Sequence, residues 1–144
     1  MEATKNHHNF IDYVINLIIG ILFVFAVITA FGYGAAVAIP KNFLEPLSLF
    51  SPTLAFSVVD LITQGIPAAL IFVFLSLALK LSKIRAVYTL LAMPFVLFML
   101  SAIPELLMIE GSSGFYLASL FAKVLPVVFC ALFLAKWNRV NYSA

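Results

Sequence analysis

The sequence predicts an all-α fold: a polytopic membrane protein built as a bundle of four transmembrane helices with short loops. Three observations predict it. The 144 residues are 65% hydrophobic and only 10% charged, whereas a soluble domain is about half apolar and about a quarter charged. The mean hydropathy is +1.17, and no soluble core of this length could hide that much apolar surface. Apolar runs occupy residues 13–39, 52–79, 86–109 and 115–135, and a helical span needs roughly 20 residues. Residues 1–144 therefore form a single four-span membrane domain, with no length left for a separate soluble one.

The first run stops at Pro40-Lys41. Lys5, an apolar stretch and Ala36-Val37-Ala38 have the look of a secretion signal, but the stretch is too long for a signal core, so a retained span is expected. Asp12 suits a helix start, where the macrodipole favours an acid, and Asn16 lies one turn further in. Ala26, Ala30, Gly34 and Ala38 recur every four residues. Such a small-residue face lets helix backbones approach closely in lipid. It is expected to pack on a sister span or on another subunit.

The second run follows a linker of residues 41–50 and opens at Ser51-Pro52, an N-cap followed by proline at the first helical position. The third follows the basic linker 80–85. The fourth follows residues 110–114, a tight Glu-Gly-Ser-Ser-Gly turn that makes spans three and four antiparallel neighbours. Pro67, Pro94, Pro104 and Pro126 fall inside predicted helices, so bent spans are expected.

Direction follows from the bases. Lys5, Lys80, Lys83, Arg85, Lys136 and Arg139 fall on one side of a four-span topology, and Lys41 alone on the other. The positive-inside rule then places both termini in the cytoplasm, in the inner membrane of a bacterium. Tyr13, Tyr88 and Trp137 fall at the inner interface, and Tyr33 and Tyr116 nearer the outer one.

Polar residues line up within the spans. Thr53, Ser57, Asp60, Gln64 and Pro67 share a stripe of the second helix. Tyr116, Ser119, Lys123, Pro126 and Cys130 share one of the fourth, and Ser101, Glu105 and Met108 one of the third. At 1.5 Å per residue, Asp60 lies roughly 10 Å, Lys123 about 12 Å and Glu105 about 6 Å from the outer ends of their helices. Asp60, Gln64, Glu105 and Lys123 are thus predicted to form an intramembrane polar cluster, of net charge −1 if all three charges are ionised. A charge in hydrocarbon is costly and by default marks a function. An Asp60–Lys123 pair that merely locks spans two and four together is an equal reading. Glu105 is near enough to the interface to be solvated there.

Other chemistry finds little support. One cysteine, Cys130, excludes an intrachain disulfide and a Cys-rich metal site. His7 and His8 precede the first span, away from any nucleophile. Thr29-Ala-Phe-Gly-Tyr-Gly34 is similar to a potassium-channel filter, but it has an extra residue and ends a full span, where a re-entrant loop is needed. No catalytic, cofactor-binding or metal-binding residues are expected, no cofactor, and no nucleic-acid partner.

Two function classes remain. In the first, the helices bind a membrane partner or a second copy, as a subunit, sensor or immunity-type protein without catalysis. In the second, an oligomer transports a solute, with Asp60, Glu105 and Lys123 lining an outward-facing vestibule. The near absence of polar residues in the inner half of the spans ranks interaction above transport. An intramembrane enzyme ranks far below both.

Overall fold

A computed structural model of the chain describes residues 2–34, 39–108 and 113–141. Among these all regular structure is helical: α1 (Glu2–Gly34), α2 (Lys41–Phe50), α3 (Pro52–Asp60), a π-helical turn (Leu61–Gly65), α4 (Ile66–Leu81), α5 (Tyr88–Leu100), α6 (Ile103–Leu107) and α7 (Ser113–Asn141). Four stretches are long and apolar enough to cross a membrane: Phe10–Gly34, Pro52–Leu81, Tyr88–Leu107 and Gly114–Asn138. Ser51 caps α3 as expected, its hydroxyl accepting from the Leu54 N–H, with Pro52 next.

Three elements depart from the expectation. α1 begins at Glu2, so Asp12 lies inside a helix rather than at its start. Residues 41–50 are a helix rather than an open linker. The third span is broken at Ser101 and Ala102. Pro104 causes the break: it has no N–H for the Leu100 carbonyl, and its ring crowds that carbonyl. The Ala102 N–H bonds to the Met99 carbonyl three residues back instead. Ser101 and Glu105 therefore no longer belong to one straight stripe.

The spans close into a ring. α1 packs on α4 and α5, and α7 packs on α3, α4 and α5. The order around the ring is α1, α3–α4, α7, α5. Consecutive α4 and α5 thus stand diagonally, and the segment between them crosses the end of the bundle. The two strongest lateral neighbours of α7 run differently: α3–α4 is parallel to it, and α5 is antiparallel.

Between them the four spans enclose a solid apolar centre. Phe23, Phe72, Phe95, Val27, Leu91 and Val127 are fully buried. The Phe23 ring meets the Phe72 ring edge-on at 5.7 Å and the Phe95 ring at 5.3 Å. Dispersion contacts between closely packed rings and aliphatic side chains hold such a centre together.

The crossing segment begins with a tight helix end. Lys83 has φ 58°, the left-handed region usually left to glycine. The Ile84 N–H bonds to the Leu79 carbonyl at 3.0 Å and the Lys83 N–H to the Lys80 carbonyl at 3.1 Å, the two bonds of a Schellman closure. Ile84 then packs on the core beside Leu79. A left-handed conformation costs a side-chain-bearing residue about 1–2 kcal/mol. Lys83→Gly is expected to raise the thermal midpoint in detergent. An unchanged or lower midpoint counts against strain at this turn.

The same segment is pinned from α1. The Asn16 side chain is fully buried. Its Nδ2 donates to the Arg85 carbonyl at 2.8 Å and to the Asp12 carbonyl at 2.7 Å. Its Oδ1 accepts from the Val87 N–H at 2.8 Å. Beside it, Tyr88 is buried and its hydroxyl accepts from Asn138 Nδ2 at 2.8 Å, so Tyr88 is a packing residue rather than part of a lipid-facing belt.

Candidate functional site

α3 and α7 start at the same end of the bundle and run side by side. Residues at similar distances from their starts therefore meet. Side chains on a helix lean toward its N-terminus, so Asp60 and Lys123 lean the same way. Asp60 Oδ1 accepts from Gln64 Nε2 at 3.0 Å, one turn along its own helix. Asp60 Oδ2 accepts from the Ser119 hydroxyl on α7 and lies 3.6 Å from Lys123 Nζ. That separation exceeds the ~2.7–2.9 Å of a tight charge-assisted bond. The contact is an ion pair in which Ser119 and Gln64 supply the close donors. The Asp60 and Lys123 side chains are 19% and 23% exposed, so the pair sits at the edge of the bundle rather than in its centre.

Asp60, Gln64 and Lys123 are thus together. Glu105 is exposed on α6 and joins no ion pair among the described residues. The charge of the assembled cluster is accordingly balanced rather than −1. Ser119 was legible as a stripe residue but not as a partner of Asp60, since only the parallel pairing of α3 and α7 brings them together.

The π-helical turn begins directly after Asp60. The Ile66 N–H reaches back five residues to the Leu61 carbonyl. Pro67 explains the widening, because it cannot donate to the Thr63 carbonyl four residues earlier and its ring crowds that carbonyl. The wider turn also brings Gly65 against α7. A Cβ at position 65 would collide with the Ala122 carbonyl oxygen and lie 3.1 Å from Pro126 Cγ.

This arrangement recurs. A Cβ at Gly34 would collide with the Thr63 carbonyl oxygen, the acceptor that Pro67 cannot serve. A Cβ at Gly20 would lie 2.8 Å from the Leu91 carbonyl oxygen and 2.9 Å from Pro94 Cγ. Each of these three glycines faces a proline-bearing turn of a neighbouring helix. The Thr63 and Ala122 carbonyls are the ones that Pro67 and Pro126 cannot serve, whereas Pro94 releases the Leu90 carbonyl and Gly20 meets its neighbour at Leu91. Glycine permits the close approach in each case, and its Cα–H groups are weak donors at such range.

The small-residue face of α1 divides along its length. Gly34 is buried against Thr63, Ala30 is half-buried and Ala26 is exposed. Ala38 lies outside the described residues. Gly34→Ala is expected to lower the thermal midpoint in detergent, because a Cβ there requires α1 to move off the Thr63 backbone. An unchanged midpoint would mean that this end of α1 does not rest on Thr63.

Several other hydroxyls in the spans are spent within their own helices. Thr29, Ser57, Thr63 and Ser76 donate to the carbonyls of Phe25, Thr53, Val59 and Phe72. No group of three or more His, Cys, Asp or Glu among the described residues could hold a metal ion. Fold and site together define a helical bundle with four membrane-length helices and, among the described residues, one lateral ion pair. Comparisons with protein-family models, curated proteins and solved structures give no match to this chain.

Proposed function

We propose that this chain is a small integral protein of the bacterial inner membrane that acts through helix–helix contact with a membrane partner and catalyses no reaction of its own. The observation that carries this reading is the filled axis. Phe23, Phe72 and Phe95 plug the ring with no exposed surface. The Asn16 and Asp60 side chains are occupied within the chain, Asn16 by three backbone groups and Asp60 by Gln64, Ser119 and Lys123. What is left to act is the outward surface, where Phe25, Phe74 and Phe129 are 64%, 70% and 72% exposed.

The base distribution supports cytoplasmic termini. A reporter fused at the C-terminus is expected to behave as cytoplasmic, and activity of a periplasmic reporter there would reverse the orientation. The interaction reading is tested with photo-crosslinkers at positions 25, 74 and 129 in the native membrane. A discrete protein adduct confined to one of these faces is expected. Lipid adducts alone at all three positions would overturn it.

A second reading, an oligomeric transporter, draws on one specific observation. The π-helical turn abuts Asp60, and such turns are frequent at functional sites. The purified chain in vesicles is expected to carry no solute or ion flux above that of empty vesicles. Flux that Asp60→Asn abolishes would favour transport over interaction.

A further inference from the structure

Helix α2 has no part in the reading above, yet its pattern is distinct. Phe43, Leu44, Leu47 and Phe50 occupy one side, while Asn42, Glu45 and Ser48 occupy the other, interrupted there by Leu49, which is 83% exposed. Leu44 and Leu47 are half-buried, and α2 packs on α3. Phe43 and Phe50 are left 50% and 82% exposed. The helix ends at Ser51, and the same extended residue caps α3. α2 therefore turns a corner directly into a membrane-length helix and lies at the level where that helix begins.

We infer that α2 is an interfacial helix. It lies along the bilayer surface, with Leu44 and Leu47 on the bundle, Phe43 and Phe50 in the boundary between headgroups and acyl chains, and Glu45 and Asn42 toward water. The inference rests on the membrane-spanning reading of the four long helices. Lipid is the occupant because of continuity along the chain. Past the Ser51 corner, Leu54 and Phe56 of α3 are exposed as well, at 39% and 56%, on a helix that would be lipid-embedded. A helix with one apolar edge and a polar opposite edge at that level inserts its apolar side to a depth of about 5–10 Å. Pro46 costs little here, since one missing N–H on a ten-residue helix at the surface can be offset by water.

The test uses the full-length chain in vesicles, with Trp137→Phe as background. Three single tryptophans are introduced: Phe50→Trp, Glu45→Trp and Phe129→Trp. The tryptophan replacing Phe50 is expected to lose most of its emission to lipids brominated near the carbonyl end of the acyl chain, less to lipids brominated deep, and little to aqueous iodide. The one replacing Glu45 is expected to be quenched by iodide and spared by both lipids. The one replacing Phe129 reports the spanning reading and should be quenched by the deep bromines. If it is quenched so while position 50 is as open to iodide as position 45, α2 stands clear of the bilayer and the inference alone fails. If position 50 is shielded from iodide yet untouched by either lipid, a protein surface covers it, a second copy included, and the inference fails. If position 129 escapes both lipids, the spanning reading fails and takes this inference with it.

Discussion

Asn16→Leu is expected to destabilise the chain by about 2–6 kcal/mol, because it strands two backbone groups at about 1–3 kcal/mol each. The stranded groups are the Arg85 carbonyl and the Val87 N–H, which the amide holds at 2.8 Å each. Helices satisfy their own backbone, but this segment crosses the bundle end between diagonal helices and cannot. Its polar groups must be served by a side chain. Asn is the smallest side chain carrying both a donor and an acceptor on one planar group. The Asp12 carbonyl loses its extra partner too, but it lies within α1. Denaturation in mixed micelles measures the effect. Asn138→Ala serves as the comparison, since it removes one hydrogen bond to Tyr88 that is only partly buried and is expected to cost about 0.5–1.5 kcal/mol. Equal losses for the two variants would mean that the crossing segment finds water when Asn16 is gone.

Asn16 also marks a limit of the sequence. Its position one turn inside the first helix is plain, but its role depends on the ring order, which short loops do not reveal. A six-residue connection between α4 and α5 reads as a link between adjacent helices. Only the diagonal placement turns its backbone into a set of groups needing partners. The Asp60–Lys123 pair was easier to foresee. Helical spacing places each on a polar stripe, and both helices begin at the same end, so counting residues gives matching depths. Glu105 lies apart from the pair and is exposed, in keeping with the solvated reading that its nearness to the outer end of its helix favoured. Pro67 was counted as a stripe member, although its consequence was the π-helical turn beside Asp60. Helix α2 was hidden in the linker because ten residues make fewer than three helical turns and a central proline interrupts them.

The glycines show the same limit from another side. Spacing of four residues picks out Ala26, Ala30, Gly34 and Ala38 as one small-residue face, the last of them outside the described residues. Volume alone does not say which of them meets a helix. The structure sorts them by the prolines opposite: Gly20, Gly34 and Gly65 meet the turns carrying Pro94, Pro67 and Pro126. A proline in one span and a glycine in another form a complementary pair only when the two lie at the same depth on facing sides. That relation joins two distant parts of the chain, so no single stretch of sequence displays it.

The second large effect concerns Asp60 and Lys123. Either Asp60→Asn or Lys123→Met is expected to cost about 2–4 kcal/mol, below or within the ~3–5 kcal/mol for breaking a fully buried pair. Partial solvation argues for the lower end, since both side chains are about a fifth exposed. Asp60→Asn keeps an oxygen for Gln64 but leaves the Lys123 ammonium facing a neutral amide. Lys123→Met leaves the carboxylate with Ser119 and Gln64 as its remaining donors, so it is expected to be the milder of the two. The double variant strands no charge and is expected to be more stable than Asp60→Asn. A coupling energy of about 0.5–3 kcal/mol is the usual size for residues in contact. Losses that simply add would mean that the pair is not coupled across α3 and α7. The same variants separate a lock from a site. If the double variant regains both stability and the crosslinked adduct, the pair holds the two helices and does nothing further. If stability returns while the adduct stays lost, the charges themselves are read by the partner.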